Sequence, residues 1–156
     1  MFDKYDDGGL HKALLEILEH AMEIGGARCG NIQLYNPTTG ALEIVAHRGF
    51  PPDVAELWRV VHSSASTVCA RAWRSHQRVC IHDLAKDEAF APYLPTAERI
   101  GLRAVQSTPL PGNEHPVGVI STHFGVPHTP SAADAAQLDL WAQRASSALK
   151  GLAAAA

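Results

Sequence analysis

The sequence predicts an α+β domain built on antiparallel strands. Its 156 residues, 46% apolar and 19% charged, are enough for one core that needs no covalent staple. Apolar residues recur at helical spacing near both ends, and between them the pattern changes to period two. The resulting order of helix, hairpin, helices, strand, loop, hairpin and helix joins its strands mostly as antiparallel neighbours. A doubly wound parallel sheet would instead place a helix after every strand.

Taken in order, Leu10, Leu14, Ile17, Ala21 and Ile24 form a 4-3-4-3 stripe on a first helix, which Gly25 and Gly26 stop. "NIQLY" and "ALEIVAH" alternate around "NPTTG", so residues 31–47 read as a hairpin. After the prolines of "GFPP", residues 53–62 read as a helix with Asp53 as N-cap, and a second short helix covers about Thr67 to Ser75. "RVCIHDL" supplies a compact strand over residues 78–82. The stretch 85–100, interrupted by Pro92 and Pro95, reads as a loop with helical pieces that covers a pocket.

"RAVQSTPL" and "VGVISTHF" then give two strands joined across "PGNEHP". The chain closes on a helix whose Leu138, Trp141, Ala145, Ala148 and Leu152 repeat 3-4-3-4. No repeat or composition break divides residues 10–152, which are read as one domain. Residues 1–9 are read as a flexible segment and 153–156 as a tail.

Charge and cysteine usage exclude several functions. A formal charge of -3 and the absence of any Lys/Arg run argue against a nucleic-acid partner. No apolar stretch reaches the roughly 20 residues that cross a bilayer, and the acidic start "MFDKYDDGG" is unlike a secretory signal, so a cytoplasmic location is expected. Three cysteines, without paired spacing, are read as free thiols.

The last two strands carry an unusual number of polar side chains. Alternation puts Gln106 and Thr108 on one face of the first, and Ser121 and His123 on one face of the second. With helices covering the more apolar side, these four look into a cavity suited to a polar or aromatic small molecule. They can equally satisfy one another or the loop backbone, since buried polar atoms need partners with or without a ligand.

Taken as an ordered series, "GNIQLYNPTTGALEIVAHRGFPP", "VCARAWRSHQRVCIHDLAKDEAF", "LRAVQSTPL" and "GVISTHF" resemble the successive blocks of a GAF domain of the bacterial sensor type, over about residues 10–150. The resemblance implies a central antiparallel sheet of five or six strands. It places the N- and C-terminal helices on one face and helices and loops capping a small-molecule pocket on the other. Trp58, Trp73, Phe90 and Tyr93, with Cys69, are then candidates for the pocket lining. Sensor GAF domains often carry a glycine-rich turn where this chain has "HSSAST", residues 62–67.

The resemblance implies a sensory or regulatory module without catalysis. It also implies a homodimer formed through the terminal helices, which signals to an effector kinase or cyclase. The cyclic-nucleotide signature is absent, since "KDEAF" holds similar letters in another order, and no cysteine is followed by histidine as bilin attachment requires. Several histidines are candidate haem ligands, and no motif selects one. The enzymatic alternative is a free methionine-(R)-sulfoxide reductase using Cys69 and Cys80. That family's third cysteine, its nucleophile, falls where this chain reads "IGLRAVQSTPL". Cys80 and His82 form at most half a metal site.

Overall fold

The computed structural model describes the backbone of residues 9–155 and side chains through Gly151. Residues 1–8, most of the expected flexible segment, lie outside the described residues, as do Ala156 and the side chain of Leu152. Six strands form one sheet in the order β3-β2-β1-β6-β5-β4, and every adjacent pair is antiparallel. These are β1 (Cys29–Asn36), β2 (Ala41–Arg48), β3 (Val60–His62), β4 (Val79–Ile81), β5 (Ala104–Leu110) and β6 (Gly118–Phe124).

Helices α1 (Leu10–Glu23) and α5 (Ala132–Ala155) pack together on one face. Leu14, Leu18 and Ala21 of α1 meet Leu138, Ala142, Ala145 and Leu149 of α5 over Ile32, Val45, Leu110 and Ile120 of the sheet. Past α1 the chain reverses through Gly25 at φ +82°, a conformation that favours glycine. The buried row of α5 is 138-142-145-149. Trp141, expected in that row, stands on the shoulder of the helix, where its ring stacks on His20 of α1 at 4.5 Å. The helix also continues through Ala155, into the segment read as a tail.

The opposite face is covered by α2 (Pro52–Leu57), α3 (Val68–Ser75), two 3-10 turns (Leu84–Lys86 and Glu88–Tyr93) and α4 (Leu94–Arg99). Phe50, Val54, Leu84, Phe90, Ala97 and Leu102 form its core against Val105. Helix α3 begins at an N-cap, Thr67, whose side chain accepts from the Ala70 amide. The cap is fastened at two points. Asp83 accepts from Arg103 Nη2 at 2.9 Å and from the Ala85 amide at 3.1 Å. Asp87 accepts two bonds from Arg71 of α3, at 2.8 and 3.3 Å.

Two expectations for residues 53–62 need correction. Helix α2 starts at Pro52 with Pro51 as N-cap, because proline's fixed φ suits the first helical position. Asp53 thus falls inside the first turn, where its carboxylate accepts from Arg99 Nη2. The helix ends at Leu57, and residues 60–62 pair with β2 instead. The β-branched pair Val60 and Val61 fits a strand, and the edge of β2 offers it unpaired backbone groups. The turn at 62–67 forms without any positive φ, and His76 is the only non-glycine residue in that region among the described residues.

Candidate functional site

Strand register decides which side chains form the cavity floor. Ser121 pairs with Ser107 on one side and Asn31 on the other, while His123 pairs with Val105 and Cys29. One face therefore gathers Asn31 and Gln33 of β1, Val105 and Ser107 of β5, and Ser121 and His123 of β6. Trp58, Phe90 and Tyr93 form the roof, and Val68 and Cys69 of α3 close a side. The cavity measures about 50 Å³. A shallow groove along Leu57, Val60 and Pro92 shares Trp58, Val61, Thr67 and Tyr93 with it and leads outward.

Of the residues singled out from sequence, Ser121, His123, Trp58, Cys69, Phe90 and Tyr93 line this cavity together. Gln106 and Thr108 do not. Gln106 Nε2 donates to Thr122 Oγ1 at 3.0 Å. Thr108 Oγ1 accepts from Arg78 Nε at 3.1 Å, and Arg78 also bonds Asp139 and the Ala135 carbonyl of α5, so both lie on the helix-covered face. Alternation tells which residues of one strand share a face, but the register of the neighbouring strand decides which two faces match. Trp73 sits apart as well, stacked on Tyr35 at 4.2 Å and donating to the Pro116 carbonyl at 2.9 Å. Asn31, Gln33 and Ser107 were missed. Asn31 and Gln33 left a trace, as two polar residues alternating inside "NIQLY".

The floor holds polar atoms without partners. Ser107 and Ser121 satisfy each other at 2.7 Å. Asn31 Oδ1, Gln33 Oε1 and His123 Nε2 are buried and have no hydrogen-bond partner among the described residues. Asn31 and Gln33 are only 5% and 1% exposed. A buried polar atom left unpaired costs about 1–3 kcal/mol, so three converging on one cavity call for a common cause. No Asp, Glu, Lys or Arg lines the cavity among the described residues. Burial holds His123 well below an ordinary histidine, at about 4, so its imidazole is neutral at physiological pH. Phe50 lies edge-on to that ring at 5.2 Å, and Trp58 stacks parallel to it at 6.3 Å.

The thiols are dispersed. Burial raises the Cys69 pKa, with the neighbouring Thr67 hydroxyl and Gln33 side chain pulling the other way. Cys80 pairs with Gln106, so it points to the face opposite Cys69, and it is exposed. Cys29 donates to the Gly49 carbonyl at 3.3 Å. His82, expected beside Cys80, is engaged with Thr129 Oγ1 at 2.9 Å. No group of three or more His, Cys, Asp or Glu among the described residues is placed to hold a metal ion. No helix among them is long and apolar enough to cross a membrane.

Comparison with known proteins agrees with this architecture. No curated protein matches the sequence. The GAF domain from an Acinetobacter phosphoenolpyruvate-protein phosphotransferase superposes with a TM-score of 0.78 at 16% identity, covering 94% of this chain and 85% of that one. A GAF domain/HD domain protein from Geobacter sulfurreducens gives 0.76 at 13%, with 97% of each chain covered. Free methionine-R-sulfoxide reductase from Neisseria meningitidis, in complex with its substrate, also gives 0.76, at 15% identity over 99% of this chain and 87% of that one. At such identities the likeness is one of fold. The sequence profile of the GAF domain family matches residues 9–150, nearly the whole chain, and the protein belongs to that family.

Proposed function

We propose that this GAF domain is a non-catalytic sensory or regulatory module that binds a small molecule between its sheet and its cap. The observation that carries the reading is the convergence of Asn31 Oδ1, Gln33 Oε1 and His123 Nε2, all unpartnered, beneath an aromatic roof. Unpaired buried polar atoms also occur outside the cavity, Gln106 Oε1 on the helix-covered face among them, but this floor gathers three of them beside the paired Ser107 and Ser121. The cavity of about 50 Å³ compares with about 150 Å³ for one that admits benzene, so a ring-sized ligand requires the cap to lift. Cap lifting is also how occupancy would become a signal, because a ligand shifts only an equilibrium between states that it binds unequally.

Output leaves through α1 and α5, on the far side of the same sheet. In this reading their outer surfaces pair with a second copy, as a homodimer passing strain to an effector such as a kinase or cyclase. GAF domains with this fold occur in multidomain proteins, including the HD-domain protein of Geobacter sulfurreducens. The non-catalytic part of the proposal rests on the thiols. Cys69 and Cys80 lie on opposite faces of the sheet, and burial keeps Cys69 protonated, whereas sulfoxide reduction needs a thiolate and a resolving thiol within reach. Native mass spectrometry of protein purified from cells tests the binding, and a small-molecule adduct lost on denaturation is expected. Turnover of free methionine-(R)-sulfoxide that disappears in Cys69→Ser would refute the non-catalytic assignment.

A further inference from the structure

The chemistry of the orphaned atoms narrows the ligand class, an inference resting on the binding role proposed above. Asn31 and Gln33 line the cavity and each carries a buried carbonyl oxygen without a hydrogen-bond partner among the described residues, and a carbonyl only accepts hydrogen bonds. The protein thus presents two acceptors with nothing to accept. Among the described residues no cationic side chain lines the cavity to receive a carboxylate or phosphate, and no anionic one to balance a buried ammonium. His123 adds one neutral imidazole nitrogen, and of the Ser107 and Ser121 hydroxyls one keeps an uncommitted proton. Thr67 and Cys69, engaged with each other at 3.4 Å, close one side, and the remaining walls are flat or apolar, with Trp58, Phe90 and Tyr93 above and Val105 below.

We infer that the cavity takes a small, uncharged, planar molecule that presents at least two N–H or O–H donors to Asn31 and Gln33, such as a cyclic urea, lactam or amide. The donors would satisfy both carbonyls, and the ring would slide under the aromatic roof without stranding a charge in an apolar site. Selectivity follows from unpaired groups. A look-alike lacking the N–H leaves both acceptors buried and empty, which discriminates more strongly than shape does.

A four-probe titration followed by NMR tests this, using 2-imidazolidinone, its 1,3-dimethyl derivative, propionate and the pyrrolidinium cation. The cyclic urea is expected to shift the Asn31 and Gln33 side-chain amide resonances saturably. The dimethylated analogue, which lacks both donors, should bind at least about tenfold more weakly. In the ligand-free protein, Asn31→Leu is expected to raise the melting temperature while losing the response to the urea, because it removes an unsatisfied group, and Gln33→Met, whose native side chain also bonds the Cys69 thiol, is expected to lose the response to the urea. A fall in the melting temperature of Asn31→Leu would overturn the inference by showing that its carbonyl has a structural partner. Preferential binding of propionate or pyrrolidinium would also overturn it, leaving the binding role intact. Silence toward all four probes, both in the native protein and in Phe90→Ala with its roof opened, would remove the binding role as well.

Discussion

The His123 imidazole, half-buried with its Nε2 fully covered, gives this domain a pH dependence with a definite sign. Its folded pKa is held at about 4, against an ordinary 6.5, by burial between the sheet and the rings of Phe50 and Trp58. Between those values the unfolded chain binds the proton and the folded one does not, so stability falls as the pH is lowered through this window. The contribution is fully present above about pH 6.5. Lowering the pH from about 7 to about 4.5 should cost about 2 kcal/mol through this residue alone. Urea unfolding at the two pH values, for the native protein and for His123→Gln, isolates the effect. Burial depresses His47 as well, so the difference between the two proteins is the quantity to compare. Equal pH dependence in both, or an NMR titration of the His123 ring centred near 6.5, would refute the reasoning.

Other consequences are as specific. Asp87→Ala removes both bonds from Arg71, whose Nε is already unpaired, and should cost about 1–3 kcal/mol. Amide exchange should then quicken across residues 84–99 while the helix α1 core stays protected; uniform acceleration would mean that the cap is not a separate unit. In Gly118→Ala a new Cβ would lie 1.9 Å from the Gln33 backbone carbonyl oxygen, at the seam of β1 and β6. A loss of about 3 kcal/mol or more is expected in chemical denaturation, and a near-neutral result would contradict the strand spacing. An aromatic disulfide reagent should titrate Cys80 first in the folded protein, reach the half-buried Cys69 more slowly, and reach Cys29 only after unfolding. Prompt reaction of Cys69 would show the cavity to be open.

How much was legible from sequence follows from the range of the interactions involved. The helices α1 and α5, the two long hairpins and the α+β class are written in local periodicity and turn chemistry, which act over a few residues and do not depend on what lies across the sheet. That Ser121 and His123 share one face of their strand could be anticipated for the same reason. Strand β3 could not, because Val60 and Val61 take extended form only where the edge of β2 waits for them. Gln106 and Thr108 went to the wrong side because a strand carries its own alternation but not its neighbour's register, and a slip of one residue exchanges every face. The sequence by itself thus determined which segments are helix or strand and which are amphipathic. Only the tertiary structure decided that Asn31, Gln33 and His123 share one floor, since that depends on β1 lying beside β6, some ninety residues away in the chain.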